Sequence, residues 1–155
     1  MPLRFCVLIV EDNPHDVRLT TEALRDARTS SDIHVAQDGA EALAFVRREG
    51  AYAGAPEPDL VFLDLNIPKI DGHEVLQAMK ADARLRHIPV VVLSSSARDS
   101  DVERAYDEQA STYVRKPSDL DQYFTAVRAV KELWFRHAAL PSHQPQAFQG
   151  RASVP

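Results

Sequence analysis

The chain has 155 residues, 45% of them apolar, which is enough for one packed domain and too few for a second folded one. Its 18 basic and 23 acidic side chains give a net charge of −5, so the basic footprint of a nucleic-acid binder is missing. Its apolar runs are too short for a bilayer span or a secretory segment, and its single cysteine, Cys6, rules out an internal disulfide. A cytoplasmic protein without membrane contact is the resulting expectation.

The first apolar run, residues 5–10, reads as a strand and ends directly in Glu11 and Asp12. Asn13-Pro14 then looks like a helix cap followed by proline in the first turn, with Val17, Leu24 and Ala27 on the inward face. A second strand over 32–36 is followed by a helix opened by Asp38-Gly39, with Leu43 and Val46 inward. Residues 49–58, with two glycines and two prolines, form a long connection. The run 59–63 then ends in Asp64, and Asp71-Gly72 opens a third helix carrying Val75, Leu76 and Met79 inward. The run 89–94 delivers Ser94, the region around Asp99 opens a fourth helix (Val102, Ala105, Tyr106), and the run 111–114 precedes Lys116-Pro117.

A fifth helix follows Pro117. Its cap is assigned to Ser118 and its core stripe to Leu120, Phe124, Val127, Val130 and Trp134, which leaves Leu133 and Phe135 outside. Residues 141–155 read as a flexible tail after a domain of 1–140. Five strands alternating with five helices imply an α/β fold, a parallel sheet covered on both faces by right-handed crossovers. In such sheets the ligand crevice lies beyond the carboxyl ends of the strands. Glu11, Asp12, Asp64, Ser94 and Lys116 therefore converge there.

Three carboxylates within a few ångströms repel one another, by about 4 kcal/mol per pair at 4 Å in an effective dielectric of about 20. Such crowding calls for a cation. Oxygen donors without histidine or cysteine favour a hard ion, and a few carboxylates with open water positions suit Mg²⁺ better than Ca²⁺. Lys116 can neutralise a carboxylate oxygen and, later, a phosphoryl oxygen carried on it.

Four ordered motifs carry a family resemblance: Val-Glu-Asp-Asn-Pro at 10–14, Leu-Asp-Leu-Asn-Ile-Pro-Lys-Ile-Asp-Gly at 63–72, Ile-Pro-Val-Val-Val-Leu-Ser-Ser-Ser at 88–96 and Tyr-Val-Arg-Lys-Pro at 113–117. Over about residues 5 to 137 the chain resembles the receiver domains of two-component response regulators. The 49–58 loop, the segment 66–69 and the long last helix look like the single-domain subgroup that partners phytochrome kinases.

The resemblance implies a flavodoxin-like, doubly wound sheet of strand order 2-1-3-4-5. It makes Asp64 the phosphoacceptor, with Glu11, Asp12, Asp64 and the backbone carbonyl of Asn66 as Mg²⁺ ligands. Lys116 and Ser94 would contact the phosphoryl group, Ser94 and Tyr113 would form the switch, and a cis bond would precede Pro117. Serine stands at 94 where threonine is frequent, which keeps the hydroxyl and loses a methyl.

The implied function is a phosphorylation switch rather than an enzyme. Its phosphoryl donor would be a sensor histidine kinase, a bacteriophytochrome by resemblance. Output would pass through protein contacts and a homodimer on the helix 4, strand 5, helix 5 face, with Leu133, Trp134, Phe135 and Leu140 as surplus apolar surface. Two alternatives stand beside it. One is a relay intermediate or phosphate sink. The other is a phosphatase of the haloacid dehalogenase type, against which Asn66 argues, because that chemistry needs a second acid two residues after the nucleophile.

Overall fold

The computed structural model describes residues 4–25, 30–96 and 98–137. Five parallel strands, β1 (Arg4–Val10), β2 (Ser30–Ala36), β3 (Leu60–Leu63), β4 (Val90–Ser94) and β5 (Thr112–Arg115), form one sheet of order β2-β1-β3-β4-β5. Five helices alternate with them: α1 (Pro14–Leu24), α2 (Gly39–Arg47), α3 (Gly72–Ala81), α4 (Asp99–Asp107) and α5 (Leu120–Glu132). The flavodoxin-like α/β architecture and its strand order are thus as expected. A short 3₁₀ turn, Gly50–Tyr52, lies within the long connection.

Alternation along the strands divides the core. Phe5, Val7 and Ile9 of β1 join Leu60, Phe62, Val91 and Leu93 under α1 and α5. Leu8 and Val10 join Val61, Leu63 and Val92 under α2 and α3 on the other face. The central strands β1, β3 and β4 are buried almost throughout, as unalternating apolar runs require when both faces are covered.

Helix starts follow local chemistry. Asn13 Oδ1 accepts from the His15 and Asp16 N–H groups, Asp38 from Glu41, and Asp71 from Glu74. For α5 the cap is Asp119, whose carboxylate accepts from the Gln122 N–H at 3.1 Å, and not Ser118. The helix begins at Leu120, so Ser118 stands one residue too early to cap it. On α4 Ala105 is buried and Val102 half-buried, whereas Tyr106 is exposed and its hydroxyl accepts from the Tyr113 N–H. Ala27, Leu140 and the tail assigned to 141–155 lie outside the described residues.

The expected stripe on α5 is displaced. The buried row is Tyr123, Val127, Lys131 and Phe135, while Phe124, Val130 and Trp134 are half-buried and Leu120 is exposed. Two causes act together. Tyr123 and Lys131 are amphipathic, burying their bodies while the hydroxyl bonds Thr20 and the ammonium donates to the Leu24 carbonyl. A π-helical turn, Leu133–His137, winds fewer degrees per residue and counters the drift of a four-residue spacing. Phe135 is therefore a core residue, its ring stacked on Phe5 at 4.2 Å, and only Leu133 of that pair stays exposed.

Candidate functional site

Strand register builds the site. Val10 of β1 pairs with Leu63 of β3, so the residues that follow, Glu11 and Asp64, leave the sheet side by side. The Asp64 N–H donates to the Val10 carbonyl at 3.0 Å and the Glu11 N–H to the Ala36 carbonyl at 2.9 Å, continuing the ladder by one step on each strand. Across β4 and β5 the Lys116 N–H donates to the Ser94 carbonyl at 2.9 Å, which fixes that residue's backbone at the same edge.

Glycine lets the next elements close in. A Cβ on Gly72, at the start of α3, would sit 2.5 Å from both the Asp64 carbonyl oxygen and the Leu65 Cα. Only a residue without a side chain permits α3 to pack against the loop that carries Asp64. The Gly72 N–H uses that approach to donate to the Leu65 carbonyl at 3.0 Å.

Glu11, Asp12 and Asp64 each offer a carboxylate oxygen within 4.8 Å of the others, Glu11 and Asp64 buried and Asp12 exposed. This all-oxygen donor set fits a hard divalent cation. Asn66 follows on the exposed loop, and its N–H donates to Asp64 Oδ1 at 3.1 Å. Lys116 Nζ donates to Glu11 Oε1 at 2.5 Å, to Asp16 Oδ2 at 2.8 Å and to Asp64 Oδ2 at 3.0 Å. Burial pulls the ammonium pKa down, but the bonds to Asp16 and Glu11 outweigh it, so the group is held above its ordinary value.

In Glu11 burial dominates: it raises the carboxyl pKa to about 7, the Lys116 bond offsets this only in part, and Asp64 repulsion adds to it.

Ser94 is fully buried at the end of β4, and its Oγ accepts weakly from the Ser96 N–H at 3.4 Å. Tyr113 is half-buried and its hydroxyl donates to the Ser96 carbonyl at 3.2 Å. Both expected switch residues thus bear on one short loop. No cis peptide bond occurs among the described residues, so the bond before Pro117 is trans, contrary to expectation. Trans is the lower-energy isomer by about 0.5–1 kcal/mol even before proline, and Lys116 reaches its three acids in this form.

Three features escaped the sequence. Asp16 reads as an ordinary acid in the first turn of a helix, yet it is one of the three partners of Lys116. The Tyr123 hydroxyl on α5 lies 2.8 Å from Thr20 Oγ1 on α1. Buried His73 of α3 sits between two acids of the α4 segment, with Nδ1 2.5 Å from Glu108 and Nε2 3.5 Å from Asp101. Asp101 also accepts from the Ser96 hydroxyl.

Buried acids and a lysine gathered at the carboxyl edge of a doubly wound parallel sheet are what a receiver domain would present, and comparison with known proteins gives that family. The chain belongs to the response regulator receiver domain family, which matches residues 7–128. It is 37% identical over 136 residues to response regulator Rcp1 of Synechocystis sp., covering 88% of this chain and 92% of that one.

Among solved structures, phosphorylated RcpA, a cyanobacterial phytochrome response regulator, superposes with a TM-score of 0.87 at 44% identity, over 90% of this chain and 99% of the other. The Mn²⁺-bound form of Rcp1 superposes with a TM-score of 0.86 at 36% identity, over 89% and 99% of the two chains. No helix among the described residues is long and apolar enough to cross a membrane.

The Glu11 shift has a testable sign. Because the folded state holds this proton more tightly than the unfolded chain, the stability it contributes is complete below the ordinary value of 4.5 and is lost as pH rises to about 7. Urea denaturation in a chelator should show wild type losing stability relative to Glu11→Gln between about pH 5 and about pH 8, with little further change above. A difference that stays constant across this range would contradict the assigned shift.

Proposed function

We propose that the chain is a phosphorylation-dependent signalling switch, accepting a phosphoryl group on Asp64 from a sensor histidine kinase. The observation that carries this reading is the Asp64 carboxylate itself, 7% exposed at the end of a central strand, with an ammonium 3.0 Å away and two further acids beside it. Mg²⁺ would be held by the carboxylates of Glu11, Asp12 and Asp64 with the backbone carbonyl of Asn66. Bound there, it supplies positive charge for the transferring phosphoryl oxygens.

An Asp64 carboxylate oxygen forms the new P–O bond as the P–N bond to the kinase histidine breaks, and the imidazole leaves with the proton it picks up. Lys116 stands within reach of the acquired negative charge. Ser94 turns its hydroxyl towards a phosphoryl oxygen and gives up its weak contact with the Ser96 N–H. Tyr113, tied to the Ser96 carbonyl, follows the loop inward. This rearrangement shifts the face formed by α4, β5 and α5, and protein contacts on that face read it. Likeness to phytochrome response regulators, a bacteriophytochrome one among them, supports a bacteriophytochrome as the kinase, and the cytoplasm is proposed as the place of action.

Incubation with Mg²⁺ and an autophosphorylated histidine kinase should label wild type and leave Asp64→Asn unlabelled but folded. Equal labelling of the two proteins would refute Asp64 as the acceptor.

We also propose a homodimer across the α4, β5, α5 face, where Tyr106 and Leu120 are 49% and 51% exposed. Leu133, just past the end of α5, is also exposed, at 52%. Light scattering at tens of micromolar should give the dimer mass for wild type and a smaller mass for Leu120→Asp. A wild type that stays monomeric, phosphorylated or not, removes this proposal.

A further inference from the structure

Lys116 has three N–H donors, and all three are committed to carboxylates. Two of those acids, Glu11 and Asp64, belong to the cation-binding set. The ammonium therefore already serves the acids that a divalent cation would take over. A divalent cation on the same carboxylates repels the ammonium and weakens its bonding there. It cannot be left unpartnered, since its side chain is only 8% exposed and a buried charge without a counter-ion is costly.

Asp16 meets that requirement. It lies 2.8 Å from the same Nζ, stands outside the three-acid set, and is the more open of the three partners at 22% side-chain exposure. Its position is fixed rather than adventitious. The Asp16 N–H is capped by Asn13 Oδ1 at 3.3 Å in the first turn of α1, and Thr20, one turn on, bonds Tyr123 of α5. The first turn of α1 thus presents to the ammonium a carboxylate that is not one of the cation set.

We propose that Asp16 is a positioning residue, the seat to which the Lys116 ammonium withdraws when Glu11 and Asp64 take a divalent cation. The inference rests on the metal reading given under the proposed function. Asp16 then lowers the competition between ammonium and metal without touching the metal. A purely structural role, pinning α1 to the end of β5, would leave metal affinity untouched. A simple field effect of one more negative charge would act whether or not the lysine is present.

Calorimetric titration with Mn²⁺ of wild type, Asp16→Asn, Lys116→Met and the double variant separates these readings. Asp16→Asn should weaken Mn²⁺ binding about tenfold with Lys116 present and less than about twofold with Lys116→Met, a coupling of the size found between contacting charged groups.

Equal weakening in both backgrounds, or none in either, overturns the inference while leaving the metal reading intact. Wild type that binds no Mn²⁺ ends both. Should the Lys116→Met proteins not fold, the ammonium protons of wild type in saturating Mg²⁺ decide. Signals protected from solvent exchange, and lost in Asp16→Asn, support the seat; rapid exchange in wild type contradicts it.

Discussion

One buried ammonium between two buried carboxylates holds this site together. Glu11 and Asp64 emerge from neighbouring central strands because Val10 pairs with Leu63, and no register other than this one sets them side by side. Left alone they would repel strongly where water is scarce. Lys116, delivered from the far end of the chain past the edge strand, makes the arrangement tolerable. Gly72 completes it by letting α3 approach the Asp64 loop. The same crowding that costs stability makes the edge a fit for the divalent cation proposed to bind there.

The path outward from that edge is polar. Ser94, Tyr113 and Asp101 all converge on Ser96, through its N–H, its carbonyl and its hydroxyl. Asp101 leads on to His73, and His73 to Glu108, which also takes bonds from Gln77 and Arg104. The helix between these acids, α4, buries only Ala105 of its nine residues, so directional bonds and not apolar area hold it to the sheet. An element held this way can be re-seated at small cost, as the proposed switch requires. α3, with Val75, Leu76 and Met79 in the core, serves as its fixed support.

Much of the fold was legible because central strands of a doubly covered sheet read as unbroken apolar runs, and the capping acids Asp38 and Asp71 with Asn13 mark helix starts locally. Glu11, Asp12, Asp64, Ser94 and Lys116 were legible for the same reason, each lying at or just past the carboxyl end of a strand. What stayed hidden depends on side-chain reach. Asp16 and Lys116 are 100 residues apart, and nothing local distinguishes Asp16 from a dipole-complementing acid. On α5 an apolar pattern favoured Phe124 and Trp134, whereas the fold buried Tyr123, Lys131 and Phe135 through a hydroxyl bond, a carbonyl bond and a π-turn.

The central claim is that positive charge from Lys116 is what lets Glu11 and Asp64 stay buried together. Urea denaturation of Lys116→Met in the presence of a chelator tests it most directly. Removing one partner of a buried charge cluster should cost about 3–5 kcal/mol, and Mg²⁺ should restore more stability to this variant than it adds to wild type. A Lys116→Met protein as stable as wild type in the chelator, with the same response to Mg²⁺, would contradict the account.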